Sequence, residues 1–152
     1  MTEMQAAIGR IQLKRMADWT NKRNANAALI DNAVKDFDVV RLVNKPEHIQ
    51  HAEYKHYMFI RPENLADGWT RDRIVEEISC AGVPAFQGSC SEVYLEKAFD
   101  NTPWRPDKRL PNAVELGETS LMFLVHPTLT QENMNTACDV ISMVLTKASK
   151  NN

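Results

Sequence analysis

The sequence predicts a single α/β domain of the α+β kind, in which a small antiparallel or mixed sheet has helices packed on one face. Three features point to it. Residues 39–43 and 54–61 are rich in valine, isoleucine and aromatics, and residues 121–125 form a continuous apolar run, so that three strands are expected. Helical apolar periodicity flanks them on both sides. The order read from the chain is helix, helix, strand, strand, helix, irregular segment, strand, helix.

Residues 2–35 contain no proline and only one glycine, Gly9. Met4, Ile8 and Ile11 recur at helical spacing behind Thr2, a good capping residue. A second stripe through Trp19, Leu29, Ile30, Ala33, Val34 and Phe37 runs out of phase with the first, and Asp18 offers a fresh cap. Two helices, or one bent helix, are expected. Asn44-Lys45-Pro46-Glu47 supplies turn residues between the first two strands, and Pro62 closes the second. After the Asp67-Gly68 turn, Thr70 caps a helix with Ile74, Val75 and Ile78 facing inward, and Gly82 ends it in a left-handed conformation.

Regularity is lost between residues 83 and 111: a short apolar piece, the Gly88-Ser89-Cys90-Ser91 loop, a brief helical stretch from Tyr94 to Phe99, and a proline-rich turn around Trp104. Long irregular segments within compact domains are usually functional. Residues 112–118 suit a short helix, and His126-Pro127 breaks the apolar strand. Thr130 caps a last helix whose Met134, Ala137, Cys138, Ile141, Val144, Leu145 and Ala148 trace one face.

At 152 residues, 43% hydrophobic and 25% charged, the chain has the length and composition to fold as one domain without disulfides or structural metal. A net charge of -2 with both signs interspersed gives no basic stripe for nucleic acid or an anionic membrane. No apolar run approaches the roughly 20 residues that span a bilayer. Cys80, Cys90 and Cys138 are odd in number and form no C-x-x-C pair, which fits a reducing, cytoplasmic setting.

Several constellations invite chemistry. His48, His51 and His56 crowd one region, but no cysteine or carboxylate pattern completes a ligand set, and structural or solvated roles are expected. Cys90 with His126 would be the minimum for a thiolate nucleophile and its base, although no nucleophile elbow accompanies them. Gly82 and Gly88 form no phosphate-cradling motif. Trp69 and Trp104 sit in turns, where covering the core is their expected task.

The opening string Met1-Thr2-Glu3-Met4-Gln5-Ala6-Ala7-Ile8-Gly9-Arg10-Ile11-Gln12-Leu13 resembles the signature helix of the DegT/DnrJ/EryC1/StrS sugar aminotransferases, which reads methionine or leucine, threonine, an acid, an aliphatic residue, Gln-Ala-Ala and a later Gln-Leu. Trp19 to Arg23 is similar to the family's W-x-x-x-R stretch, residues 54–61 resemble its tyrosine-to-phenylalanine strand, and Pro127-Thr128-Leu129-Thr130 resembles its P-x-L-T entry to the last helix.

The resemblance implies the small carboxy-terminal domain of a fold-type I enzyme, with a mostly antiparallel sheet. Residues 1–36 would be the helical entry segment joining a large domain, and residues 37–152 the small α+β domain. It implies pyridoxal phosphate as cofactor of the parent, a nucleotide-sugar substrate, an amino-acid donor (glutamate), and a homo-oligomer with active sites at the subunit interface. The Schiff-base lysine, the aspartate for the pyridine nitrogen and the ring-stacking residue are expected on preceding polypeptide. Lys14, Lys55 and Lys97 have no matching context, so no catalytic, cofactor-binding or metal residue is assigned, and the chain alone is expected to bind no cofactor and to be inactive.

The family's substrate-facing loop follows a glycine-aliphatic pair, matched by Gly82-Val83, and commonly carries a histidine-tyrosine pair. Here Phe86-Gln87-Gly88-Ser89-Cys90-Ser91-Glu92-Val93-Tyr94 stands instead. Gln87, Ser89, Cys90 and Ser91 are therefore the expected lining of the sugar side. The alternative from the same resemblance is a non-catalytic binding or dimerisation module.

Overall fold

The computed structural model describes residues 1–150, so the last two residues of the expected 37–152 domain lie outside the described residues. It opens with one uninterrupted helix, α1 (Glu3–Val34), about 48 Å long at 1.5 Å per residue. Thr2 caps it reciprocally with Gln5, whose N–H donates to Thr2 Oγ1 at 3.3 Å while its side-chain Oε1 accepts from the Thr2 N–H at 2.9 Å.

Of the two expected arrangements the structure has one helix, not two: Asp18 lies inside it and caps nothing. The apolar stripe changes phase because the helix changes surroundings. Ala27, Ile30 and Val34 are buried in the core, whereas Met4, Ile8, Ile11 and Met16 are each more than half exposed, from 52% to 75%.

Four strands form one antiparallel sheet in the order β1-β2-β4-β3: β1 (Val40–Leu42), β2 (His56–Ile60), β3 (Ala85–Gln87) and β4 (Ser120–Phe123). The short apolar piece after Gly82 is thus an additional strand, too brief to show a period. β2 alternates strictly: His56, Met58 and Ile60 are buried, while Tyr57 and Phe59 on the other face are half-buried. The inner face joins Leu121 and Phe123 of β4 to Ile74 and Ile78 of α2 (Arg71–Cys80) and to Ile141, Val144, Leu145 and Ala148 of α4 (Gln131–Ala148).

Caps hold where they were read. Thr70 and Thr130 accept from the N–H groups of Arg73 and Asn133 at 3.1 Å each, and Gly82 takes a φ of 88°. The short helix α3 (Pro111–Thr119) lies over the outer sheet face, where its Leu116 meets Tyr57 and Phe59. Trp69 packs against the core beneath the Arg73 guanidinium, which is 4.3 Å from its ring centroid. Trp104 is 74% exposed and covers no core, a correction that follows from its place at the tip of the irregular segment.

Buried polar groups tie α1 to the sheet. Asn26 is fully buried and its Nδ2 donates to the carbonyls of Val125 and His126 at 3.3 and 3.2 Å, so the helix holds the chain just beyond β4. At the start of β2, His56 (2% exposed) places Nε2 3.0 Å from Asp31 Oδ1 on α1 and Nδ1 3.7 Å from Glu53 Oε2. Glu53, also buried, is paired with Lys45 and lies 3.3 Å from His51 Nδ1, which also accepts its backbone N–H at 3.1 Å.

Glu53 adopts a φ of 43°, in the left-handed region that glycine favours, and the ion pairs hold it there. His51 and His56 therefore serve this cluster, and His48 is exposed. Among the described residues no group of three His, Cys, Asp or Glu side chains is placed to hold a metal ion.

Burial pushes the Glu53 carboxyl up, but the hydrogen bonds from His56 and Lys45 outweigh it and hold the group at about 2. Burial pushes the His56 imidazole down, and the carboxylates of Asp31 and Glu53 more than offset that, leaving it raised above 6.5. Glu53 thus stabilises the fold fully above pH 4.5 and loses that effect as pH falls toward 2. His56 stabilises fully below pH 6.5 and loses its effect as pH rises through its elevated folded value. Urea unfolding as a function of pH is expected to show maximal stability between about 4.5 and 6.5, with the alkaline limb flattened in His56→Gln.

Candidate functional site

The outer face of the sheet carries a cleft of about 230 Å³ lined by Tyr57, Phe59, Gly88, Ser89, Cys90, Ser91, Leu116 and Ser120. Its floor follows from strand alternation: Tyr57 and Phe59 point away from the core because His56, Met58 and Ile60 point into it. Antiparallel register then sets Phe59 beside Ser120, and Tyr57 beside Met122, so the floor continues onto β4 with Ser120. Arg41 of β1 lies over Phe59 at 4.3 Å from the ring centroid and reaches Glu115 of α3 at 3.4 Å.

The loop from β3 forms the wall. The Gly88 N–H donates to Ser120 Oγ at 3.2 Å, and the Ser89 Oγ and Tyr57 hydroxyls lie 3.0 Å apart. A Cβ at Gly88 would fall within 2.7 Å of Ser120 Cβ and collide with its Oγ as well. Glycine is required here by close approach rather than by a turn.

Ser89, Cys90 and Ser91 are brought together on the cleft. Gln87 is directed elsewhere: its Nε2 donates to Asp72 Oδ1 on α2 at 3.1 Å, and that same oxygen accepts from Arg71 Nε at 2.7 Å. Beyond the loop, Tyr94 and Arg109 both donate to Glu92, at 2.7 Å and at 2.8 and 2.5 Å, and the Leu110 N–H donates to the Tyr94 hydroxyl. The Arg109 guanidinium, with Tyr94 assisting, holds the Glu92 carboxyl at about 2.

Cys90 and His126 do not form a nucleophile and base. Cys90 Sγ donates to Glu96 Oε1 at 3.6 Å, while His126 Nδ1 is 2.8 Å from Thr128 Oγ1 and also accepts the Thr128 N–H. The loop carrying Cys90 sits at the Ser120 end of β4, and His126 follows the other end. Tyr57, Phe59, Leu116 and Ser120 were not among the expected site residues. For the two aromatics the signal was present, since period-2 alternation gives them a face of their own; nothing local brings Leu116 or Ser120 to the same place.

The cleft offers hydroxyls, a thiol and aromatic faces, which suit hydrogen bonding and stacking of a polyhydroxylated ring. Among the described residues lining it there is no amine, and the half-buried Lys45 is paired with Asp31 and Glu53. A cofactor aldehyde such as that of pyridoxal phosphate needs a lysine, so the cleft's own residues do not fit that group.

Comparison with solved structures places this arrangement with the fold-type I aminotransferases. The aminotransferase from Psychrobacter cryohalolentis is 52% identical and superposes with a TM-score of 0.90, covering 96% of this chain and 39% of that one. Spr1654 from Streptococcus pneumoniae, solved in its PLP form, shares the fold at 19% identity with a TM-score of 0.78, over 97% of this chain and 36% of that one. The profile of the DegT/DnrJ/EryC1/StrS aminotransferase family matches residues 1–142, and the chain belongs to that family.

A curated relative, dTDP-4-dehydro-2,3,6-trideoxy-D-glucose 4-aminotransferase from Saccharopolyspora spinosa, is 24% identical over 139 residues, which are 90% of this chain and 33% of that protein. The chain therefore spans between a third and two fifths of the length of these relatives.

The glycine contacts are separable by mutation. Gly88→Ala is expected to lower stability by about 1–3 kcal/mol, because Ser120 is fixed in a central strand. Gly117→Ala meets only the rotatable Ser91 Oγ, at 2.6 Å, and gains helix propensity, so it is expected to be close to neutral. Urea midpoints of the two variants measure the difference.

Proposed function

We propose that this chain is the carboxy-terminal part of a pyridoxal-phosphate aminotransferase that moves an amino group from glutamate to a keto-sugar nucleotide. The observation that carries the reading is the family match across residues 1–142, joined to 52% identity with an aminotransferase of which the chain covers 39%. In this reading residues 1–36 join the small domain to a large one that holds the cofactor, and Ser89, Cys90 and Ser91 lie on the sugar side of the pocket. Gln87 acts on the sugar only by leaving Asp72. The cleft without an amine supports the further point that the chain alone does not catalyse.

A chimera joining this chain to the amino-terminal part of the Psychrobacter relative tests the reading. Expected is cofactor absorbance in the visible and transamination of a keto-sugar nucleotide by glutamate, with neither given by the 152-residue chain incubated with pyridoxal phosphate. A chimera that binds cofactor yet turns over no sugar would favour the non-catalytic module instead.

The reading also makes the protein a cytoplasmic homo-oligomer. No helix is long and apolar enough to cross a membrane, and the exposed stripe of Met4, Ile8, Ile11 and Met16 on α1 supports burial against another protein surface. Sedimentation of the chain is expected to show self-association that weakens when Ile8 and Ile11 are replaced by serine; a monomer at all concentrations would contradict it.

A further inference from the structure

The 88–91 loop is fixed by two residues that lie far from it in sequence. Ser120 Oγ accepts the Gly88 N–H, and Tyr57 meets the Ser89 hydroxyl at 3.0 Å. Both anchors belong to the central strands of the sheet, β4 and β2, which pair directly. Ser120 is 5% exposed, and its carbonyl accepts from Arg71 Nη1 at 2.7 Å, so it cannot follow the loop if the loop moves. The close approach at Gly88 removes the remaining slack.

The Tyr57 and Ser89 hydroxyls share one hydrogen bond, in which either can donate. Ser89 Oγ keeps a further hydrogen-bonding position for a group in the cleft that it lines. Its neighbours are held differently: Cys90 Sγ is turned to Glu96, and Ser91 Oγ lies against Gly117.

We infer that Tyr57 and Ser120 are positioning residues that hold Ser89 Oγ in place as a hydrogen-bonding partner for the acceptor sugar, and that this hydroxyl selects the sugar by whether an oxygen stands opposite it. The inference rests on the reading that the loop faces the sugar. A sugar whose oxygen is missing or epimeric at the facing carbon forgoes that hydrogen bond and binds more weakly.

The test uses the chimera with dTDP-4-dehydro-2,3,6-trideoxy-D-glucose, the sugar named for the Saccharopolyspora relative, and its counterparts carrying a hydroxyl at carbon 2 or carbon 3. Ser89→Ala is expected to shrink discrimination between these sugars by roughly three- to tenfold, through KM for the sugar. Tyr57→Phe is expected to give the same loss, and to add nothing in the Ser89→Ala background, because both act through one hydroxyl. Independent, additive effects, or unaltered discrimination, overturn the inference while leaving the proposed function standing. A cofactor-loaded chimera that turns over no sugar instead overturns the proposed function and the inference with it.

The clamp itself is checked on the 152-residue chain by amide hydrogen exchange. Gly88 is expected to be protected, and to lose its protection in Ser120→Ala while α2 and α4 keep theirs. Exchange at Gly88 in the wild type as fast as in an unstructured peptide would overturn the inference without reference to catalysis.

Discussion

The antiparallel pairing of β2 with β4 is the constraint on which both the core and the cleft depend. Each of these strands has a strand on either side, and a strand in that position commits its residues alternately to two faces. On one face Met58, Leu121 and Phe123 join the helices in the core; on the other Tyr57, Phe59 and Ser120 make the floor of the cleft. A slip of one residue would exchange the two sets, exposing the core and burying the phenol. Core packing therefore fixes the geometry of the site, although no core residue touches it.

The loop between β1 and β2 is governed by charge rather than apolar packing. Buried Glu53 and His56 are tolerated because each meets opposite charges from other elements, with Asp31 coming from α1 and Lys45 from the turn. The same groups hold Glu53 in a backbone conformation that side chains rarely adopt. They lie at the first residue of β2, adjacent to Tyr57, so an electrostatic cluster on the inner face stands back to back with the polar contact on the outer one.

The family assignment and the exposed half of α1 fit together physically. A helix about 48 Å long is more than this domain can cover, and its first half keeps a regular apolar stripe with no partner within the chain. Helical periodicity records that a surface is to be buried without recording against what. That is why the phase change near Asp18 suggested a break, when it marks the point where the helix leaves the core and becomes exposed.

Much of the fold was legible: the strands β1, β2 and β4, the caps at Thr2, Thr70 and Thr130, the left-handed Gly82, and the buried face of the last helix. Each is decided within a few residues, by a side chain reaching its own backbone or by alternation along a single strand, and local chemistry is what a sequence writes down. The opening helix motif likewise carried the family, because it is a string of adjacent residues. β3, no shorter than β1, escaped because it sits between Pro84 and Gly88 without the valine-rich run that marks β1, and Trp104 because a turn position does not say whether a core lies beneath it. Of the cleft, the sequence determined the loop with its two serines and the cysteine. Only the tertiary structure turned Gln87 away to Asp72, separated Cys90 from His126, and brought Tyr57, Leu116 and Ser120 to the loop. These are contacts between residues tens of positions apart, set by strand order and register, and no local pattern encodes them.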